Sequence, residues 1–195
     1  MFAFFAGLAA GLLHVFSGPD HLAAVAPLAA DTGRAHWRTG LQWGIGHTIG
    51  VLLIALLLLL IREQLPLETI SAHSERLVGV ALIVVGAWGV WKASRAGFTP
   101  HGHSHVGASF GMGALHGLAG SSHLFGVLPA LAFGTRIEAV LYLAGFGAGA
   151  IVGMSAFSAV MGVLSSRLSR RHSSGLLYAS SAAALVIGGV WLVGQ

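Results

Sequence analysis

The chain has 195 residues, 55% of them apolar and only 8% charged, with a mean hydropathy of +0.83. A soluble domain carries about 25% charged residues, so too little charge remains here to solvate a globular surface, and a soluble fold is excluded. The net charge of +4 comes from ten Lys and Arg scattered among loops, which is no nucleic-acid footprint, and the lack of cysteine excludes disulfides and thiolate metal sites.

A helix needs about 20 apolar residues to cross a hydrocarbon core of ~30 Å. Six stretches meet or approach that length, and they predict an all-α membrane protein of six transmembrane helices lying in the bilayer. The first covers residues 2–29 and is interrupted by Ser17-Gly18-Pro19-Asp20. It has no basic leading segment and carries His14, Asp20 and His21, so it reads as a membrane helix and not as a cleaved signal peptide. The second covers 40–61. The third, 77–91, is short for a span. The fourth covers 107–133, the fifth 139–164 and the sixth 175–193. Glycine is abundant within these stretches, with 29 in the chain, and small residues let membrane helices approach closely. Trp37, Trp88 and Trp91 read as anchors at the membrane interface.

The connecting loops are short except for residues 92–105, which contain His101, His103 and His105. Arg34, Arg38, Lys92, Arg95, Arg167, Arg170 and Arg171 fall on one side, against Arg62, Arg76 and Arg136 on the other. The excess of Lys and Arg marks the first side as cytoplasmic. Both termini are then expected outside a bacterial inner membrane.

The pattern Gly-x-x-His-x-x-x-Gly-x-x-His occurs twice, at Gly11, His14, Gly18 and His21 and again at Gly113, His116, Gly120 and His123. Pro27 and Pro129 follow in the same register, and Gly44-Ile45-Gly46-His47 resembles Gly145-Phe146-Gly147-Ala148 after a one-residue gap. The chain therefore reads as two repeats, residues 1–91 and 107–195, joined by a His-containing loop at 92–106. Each repeat holds three spans, an odd number, so the second is inverted relative to the first. Inverted repeats of this kind build many secondary transporters, with the substrate site near the midplane on broken helices. Helices 1 and 4 are expected to be the broken ones.

Ionisable groups inside a span are costly and usually functional. Here they are His14, Asp20, His21, His47, His116 and His123. On a straight helix His14 and His21 would share a face but lie about 10.5 Å apart along the axis, too far for one metal ion bound at ~2 Å. Proline at position 19 breaks the helical hydrogen bonding, and an unwound turn brings His14, Asp20 and His21 round one ion. His47 offers a further nitrogen. Imidazoles with one carboxylate suit nickel, cobalt, zinc or copper(II). His116 and His123 either extend the path or form a second, weaker station. His101, His103 and His105 form either a weak metal-collecting tract or a solvated polar loop.

At these residues the sequence resembles the nickel/cobalt transporter superfamily, in particular the group of nickel/cobalt efflux proteins and urease-accessory-like permeases that carries an H-x5-D-H motif. Here the motif is His14 with Asp20-His21, and Gly46-His47-Thr48 looks like the family's second motif. The resemblance implies transport of Ni2+ or Co2+, with His14, Asp20, His21 and His47 required for it. The expected function is thus membrane transport of a divalent metal ion, in a direction left open, by a protein that is not an enzyme and holds no resident cofactor. Its partners are the metal ion and the lipid bilayer, with a homo-oligomer or a partner protein left open. Without a nucleotide-binding loop of the G-x4-G-K-[ST] type, the drive is a gradient or a partner. Two alternatives stand beside it. One is a proton-coupled transporter of another small substrate that uses the histidines as a proton relay. The other is an intramembrane metalloenzyme, which would need a water-activating site with a general base and lacks an HExxH element.

Overall fold

The computed structural model describes residues 1–31, 36–61, 67–95, 106–119 and 126–193. The described residues form seven α-helices and no strand. They are α1 (Phe2–Ser17), α2 (Pro19–Asp31), α3 (His36–Ile61), α4 (Leu67–Ser94), α5 (Val106–Leu118), α6 (Arg136–Arg167) and α7 (Arg170–Val193), with a short 3-10 turn at Leu128–Ala132 before α6. Four stretches are each long and apolar enough to cross a bilayer, His36–Leu56, Arg76–Ser94, Arg136–Arg167 and His172–Val193, and the bent pair α1–α2 makes a fifth when taken as one span.

Many large apolar side chains face outward, while a set of polar groups is buried within an otherwise apolar core. Phe2, Phe5, Leu13, Phe16, Leu52, Leu53, Leu56, Val84, Val160, Val186 and Val190 are exposed. Asp20, His21, Thr39, His47, Ser109, His116, Ser158, Ser165 and Ser181 are buried. Only a hydrocarbon surround makes that arrangement favourable, and the molecule is a membrane protein.

The first expected span is broken where the sequence said it would be. Gly18 is extended, with φ −93° and ψ 99°, and α1 and α2 meet at a bend of 74°. The residue before a proline is pushed out of the helical region, while proline itself suits the first position of the next helix, where its missing N–H is no loss. The Gly18 N–H closes α1 on the His14 carbonyl at 3.1 Å, and the His21 N–H opens α2 on the Gly18 carbonyl at 3.1 Å. Helix α2 is buried along nearly its whole length and packs against α3, α4, α6 and α7.

The fourth span, 107–133, was expected to be broken, and its described residues form no continuous helix. Its first part is α5, which ends at Leu118, and residues 128–132 form the 3-10 turn. The short third stretch, 77–91, is the middle of a longer helix that starts at Leu67 and ends at Ser94. A helix continues past the bilayer wherever its backbone bonds are met, so an apolar count underestimates it. Helix α6 starts on a capping box. The Glu138 N–H donates to Thr135 Oγ1 at 3.2 Å, and the Thr135 hydroxyl donates to Glu138 Oε2 at 2.9 Å.

Four helix pairs hold the bundle together: α1 with α6, α3 with α5, α4 with α7, and α3 with α6. The first two are built alike. A Cβ on Gly7 or Gly11 would strike the carbonyl oxygen of Tyr142 or Phe146, and one on Gly145 or Gly149 that of Phe4 or Leu8. In the other pair, Gly113 and Gly117 face the carbonyls of Trp43 and His47, and Gly46 and Gly50 face those of Phe110 and Ala114. Backbones this close gain packing and Cα–H···O contacts that no larger residue allows.

At one end of the bundle, Lys92 in the last turn of α4 pairs with Asp31 at the end of α2, Nζ to Oδ2 2.6 Å, and lies 5.1 Å from the Trp88 ring centroid. Arg38 lies over Trp37 and Arg95 over Trp91 in the same manner, as interfacial anchors with an amphipathic ring would. Asp31 is only 1% exposed. Losing one partner of a buried pair strands the other charge at a cost of about 3–5 kcal/mol. Lys92→Met is therefore expected to lower the thermal unfolding temperature in detergent, and Asp31→Asn added to it should restore most of the loss. A Lys92→Met protein that melts with wild type would show that the pair is not structural.

Candidate functional site

The break at Gly18 turns α2 back so that its first residues lie under the end of α1. His14 and His21, two turns apart in sequence, meet with Nε2 to Nε2 at 3.1 Å. His21 Nδ1 donates to Asp20 Oδ1 at 3.0 Å. The other carboxylate oxygen, Oδ2, accepts from His116 Nε2 on α5 at 3.0 Å. His47, on α3, lies with its ring centroid 5.1 Å from that of His21 and 5.5 Å from that of His14. One hydrogen-bonded chain thus runs His14–His21–Asp20–His116, with His47 beside its first half. His14 is half-buried and the other four residues are buried.

Two sets of ligand atoms lie within 4.8 Å of one another: His14, His21 and His47, and Asp20, His21 and His116. They have His21 in common. A small inward shift brings either set to the ~2 Å of a metal–nitrogen bond. The carboxylate accepts from His21 Nδ1, so in the neutral ring the lone pair is at Nε2, the atom facing His14. A carboxylate that fixes the far nitrogen of a metal-binding imidazole is a recurrent arrangement. The three-histidine set is the more open of the two.

The field at the cluster suits a cation. His14 stands in the last turn of α1 and His116 in the last turn of α5, so two helix C-termini, each carrying partial negative charge, converge on it. Asp20 sits in the first turn of α2 and offsets that helix's positive end. Among the described residues, no Lys or Arg is buried.

The sequence singled out His14, Asp20, His21 and His47 as one set, and the structure brings all four together. His116 was expected either to extend the path or to form a second, weaker station. The structure joins it to Asp20 of the first half, within the same cluster. His123 lies outside the described residues, as do His101, His103 and His105. Trp43 was read over. It is wholly buried, stacks on His47 with centroids 4.9 Å apart and planes at 11°, and stands 5.4 Å from both His21 and His116. Its position four residues before His47, one helical turn, was the available signal.

Three curated proteins resemble the chain. Chloroplast protein FOR GROWTH AND FERTILITY 2 of Arabidopsis thaliana is 40% identical over 152 residues, covering 70% of this chain and 41% of the relative. Chloroplast protein FOR GROWTH AND FERTILITY 1 of the same plant is 33% identical over 158 residues, covering 70% and 43%. The urease accessory protein UreH of Bacillus sp. (strain TB-90) is 29% identical over 133 residues, covering 60% and 57%. The chain therefore spans about two fifths of the length of the two plant relatives. No family model matches the chain, and no solved structure matches it significantly.

Proposed function

We propose that this chain moves a divalent transition-metal ion, nickel or cobalt, across a membrane through the His14, His21 and His47 site at the break between α1 and α2. The observation that carries the reading is the site itself: three imidazoles within ligand reach, inside an apolar bundle, one of them in the negative last turn of α1. Imidazole without sulfur selects a borderline divalent ion and suits sodium or potassium poorly. The H-x5-D-H motif and the urease accessory relative lend support from outside the geometry. The ion is cargo; no resident cofactor is assigned.

An enzyme is the weaker reading. Both oxygens of Asp20 accept hydrogen bonds from histidines, and Asp31 is paired with Lys92. Neither carboxylate is placed to act as a general base on metal-bound water.

The packing supports two inverted three-helix repeats, with α1–α2, α3 and α4 in the first and α5, α6 and α7 in the second. The α1·α6 and α3·α5 contacts exchange under such a relation, and each uses glycine against carbonyl in both directions. With His14 matched to His116, the contact of Gly11 with Phe146 corresponds to that of Gly113 with Trp43. Gly44 and Gly46 then correspond to Gly147 and Gly149, two residues beyond the match seen in sequence. The excess of Lys and Arg on one side supports an orientation with both termini outside.

The hydrogen-bonded chain from His14 to His116 favours a second reading, a proton-coupled transporter of another small substrate with these groups as the relay. Proteoliposomes separate the two. With a metal-sensitive dye inside, nickel or cobalt entry that requires protein and saturates supports the first reading. Proton movement with no metal entry, under a pH gradient, overturns it in favour of the second.

A further inference from the structure

His21 belongs to both ligand sets, and it joins them through opposite edges of one ring. Its Nε2 faces His14, and its Nδ1 faces Asp20, whose second oxygen holds His116. A neutral imidazole has one lone pair and one N–H. It can serve an ion on either edge, and not on both. His14 and His116, which take the outer place in each set, are the same position of the two sequence repeats. They differ in access, since His14 is half-buried and His116 is 0% exposed.

We propose that the chain holds two metal stations that share His21, one completed by His14 and His47 and the other by Asp20 and His116, and that a single ion occupies them in turn. The inference rests on the transport reading above and adds a second site and an order to it. The ion enters at the more open edge, where the proton on Nδ1 is already held by Asp20. In the second station it takes the place of the protons that now lie between Asp20 and its two histidines: the His21 proton goes to Nε2, which the ion has left, and the His116 proton goes to that ring's Nδ1, so both rings stay neutral. Passage from one edge of the ring to the other exchanges the ion with the ring proton, so no charge is left on His21 at either end. Two repeats contribute one outer histidine each, so the two stations lie toward opposite halves of the bundle. A cation passed between two weak sites leaves more readily than one held by all five groups at once.

The test uses Co2+ and the purified full chain in detergent, with d–d absorption reading the ligand set and metal analysis reading stoichiometry. Wild type is expected to bind one cobalt per chain. His14→Ala and His116→Gln are each expected to keep one cobalt, with absorption spectra that differ from each other. The double variant should lose binding by more than about 100-fold, since it strips an outer histidine from each station. Elution profile and thermal unfolding, compared with wild type, show that the variants fold. Two cobalt ions bound at once within the cluster would overturn the proposal, in which the neutral ring serves one ion at a time. So would complete loss of binding in folded His14→Ala, or unchanged affinity and spectrum on adding His116→Gln to His14→Ala. Those outcomes leave the transport reading standing, whereas a wild type that binds no cobalt and no nickel overturns both.

Discussion

His21→Ala is expected to abolish saturable nickel and cobalt binding and, with it, metal flux into proteoliposomes. The reason is position. Every other residue of the cluster takes part in one ligand set, while His21 takes part in both. Removing an outer-sphere partner of a metal site typically costs 10–100-fold in affinity, so the loss of a shared inner ligand should exceed about 100-fold. The change is felt by the fold as well. Asp20, only 5% exposed, loses the donor to Oδ1, and His14 loses its partner at Nε2. Each buried polar group left unmet costs about 1–3 kcal/mol. Equilibrium dialysis with metal analysis, run beside thermal unfolding, separates the two effects. His21→Gln, which keeps a polar group in that space, should recover stability and not binding. Wild-type affinity in either variant would remove the cluster from consideration as the metal site.

How much of this could be read from the sequence depends on how local the physics is. The break at Gly18 is local. Proline dictates its own backbone and its neighbour's, so Ser17-Gly18-Pro19-Asp20 announced the bend and the meeting of His14 with His21. His47 was legible as an ionisable group among glycines within an apolar run. The joining of His116 to Asp20 was not. The two are 96 residues apart in sequence, and their contact exists because α2, wrapped by α3, α4, α6 and α7, brings its first turn to the end of α5. The repeat showed that His116 corresponds to His14, but a repeat cannot say that one half's carboxylate serves both. Trp43 was missed for a related reason. An aromatic in an apolar run carries no mark of function until the ring beneath it is known to be His47. Helix ends were the other gap. Hydropathy measures what lies in hydrocarbon, while α4 begins at Leu67, in a stretch with Glu68, Glu75 and Arg76 that an apolar count leaves out.

The buried polar cluster and the glycine contacts form one design. Imidazoles on different helices meet over one ion only if their backbones are close, and in α3 and α5 that closeness is set by glycine against carbonyl. The carbonyl that Gly117 faces belongs to His47 itself. Packing and ligand placement are therefore coupled on that side of the site. At Gly18 they are separable, and the separation gives a sharper test of the site than removing a ligand does.

Gly18→Ala is expected to keep the helix packing, at a modest loss of stability, and to weaken metal binding by about 10–100-fold, the range for disturbing the group that orients a metal-bound histidine. The backbone at Gly18 is extended, with negative φ, a conformation that alanine before proline adopts readily. Glycine is required there for space. A Cβ would fall on His21 Nδ1 and 2.9 Å from Asp20 Oδ1. The ring can swing away without a backbone shift, but only by giving up its bond to Asp20, a loss of about 1–3 kcal/mol. His21 then loses the contact that directs its Nε2 lone pair toward His14 and His47. Gly113→Ala makes the contrast. There the added carbon meets the backbone carbonyl of Trp43, which cannot rotate aside, so the helices must part at a cost of about 1–3 kcal/mol. The two variants should therefore differ in one experiment: for Gly18→Ala, weakened cobalt binding with a stability loss that His21→Gln matches, and for Gly113→Ala, lowered thermal unfolding from parted helices. If Gly18→Ala binds cobalt as wild type does, the Asp20–His21 bond plays no part in presenting the ligand, and the orienting role of Asp20 falls with it.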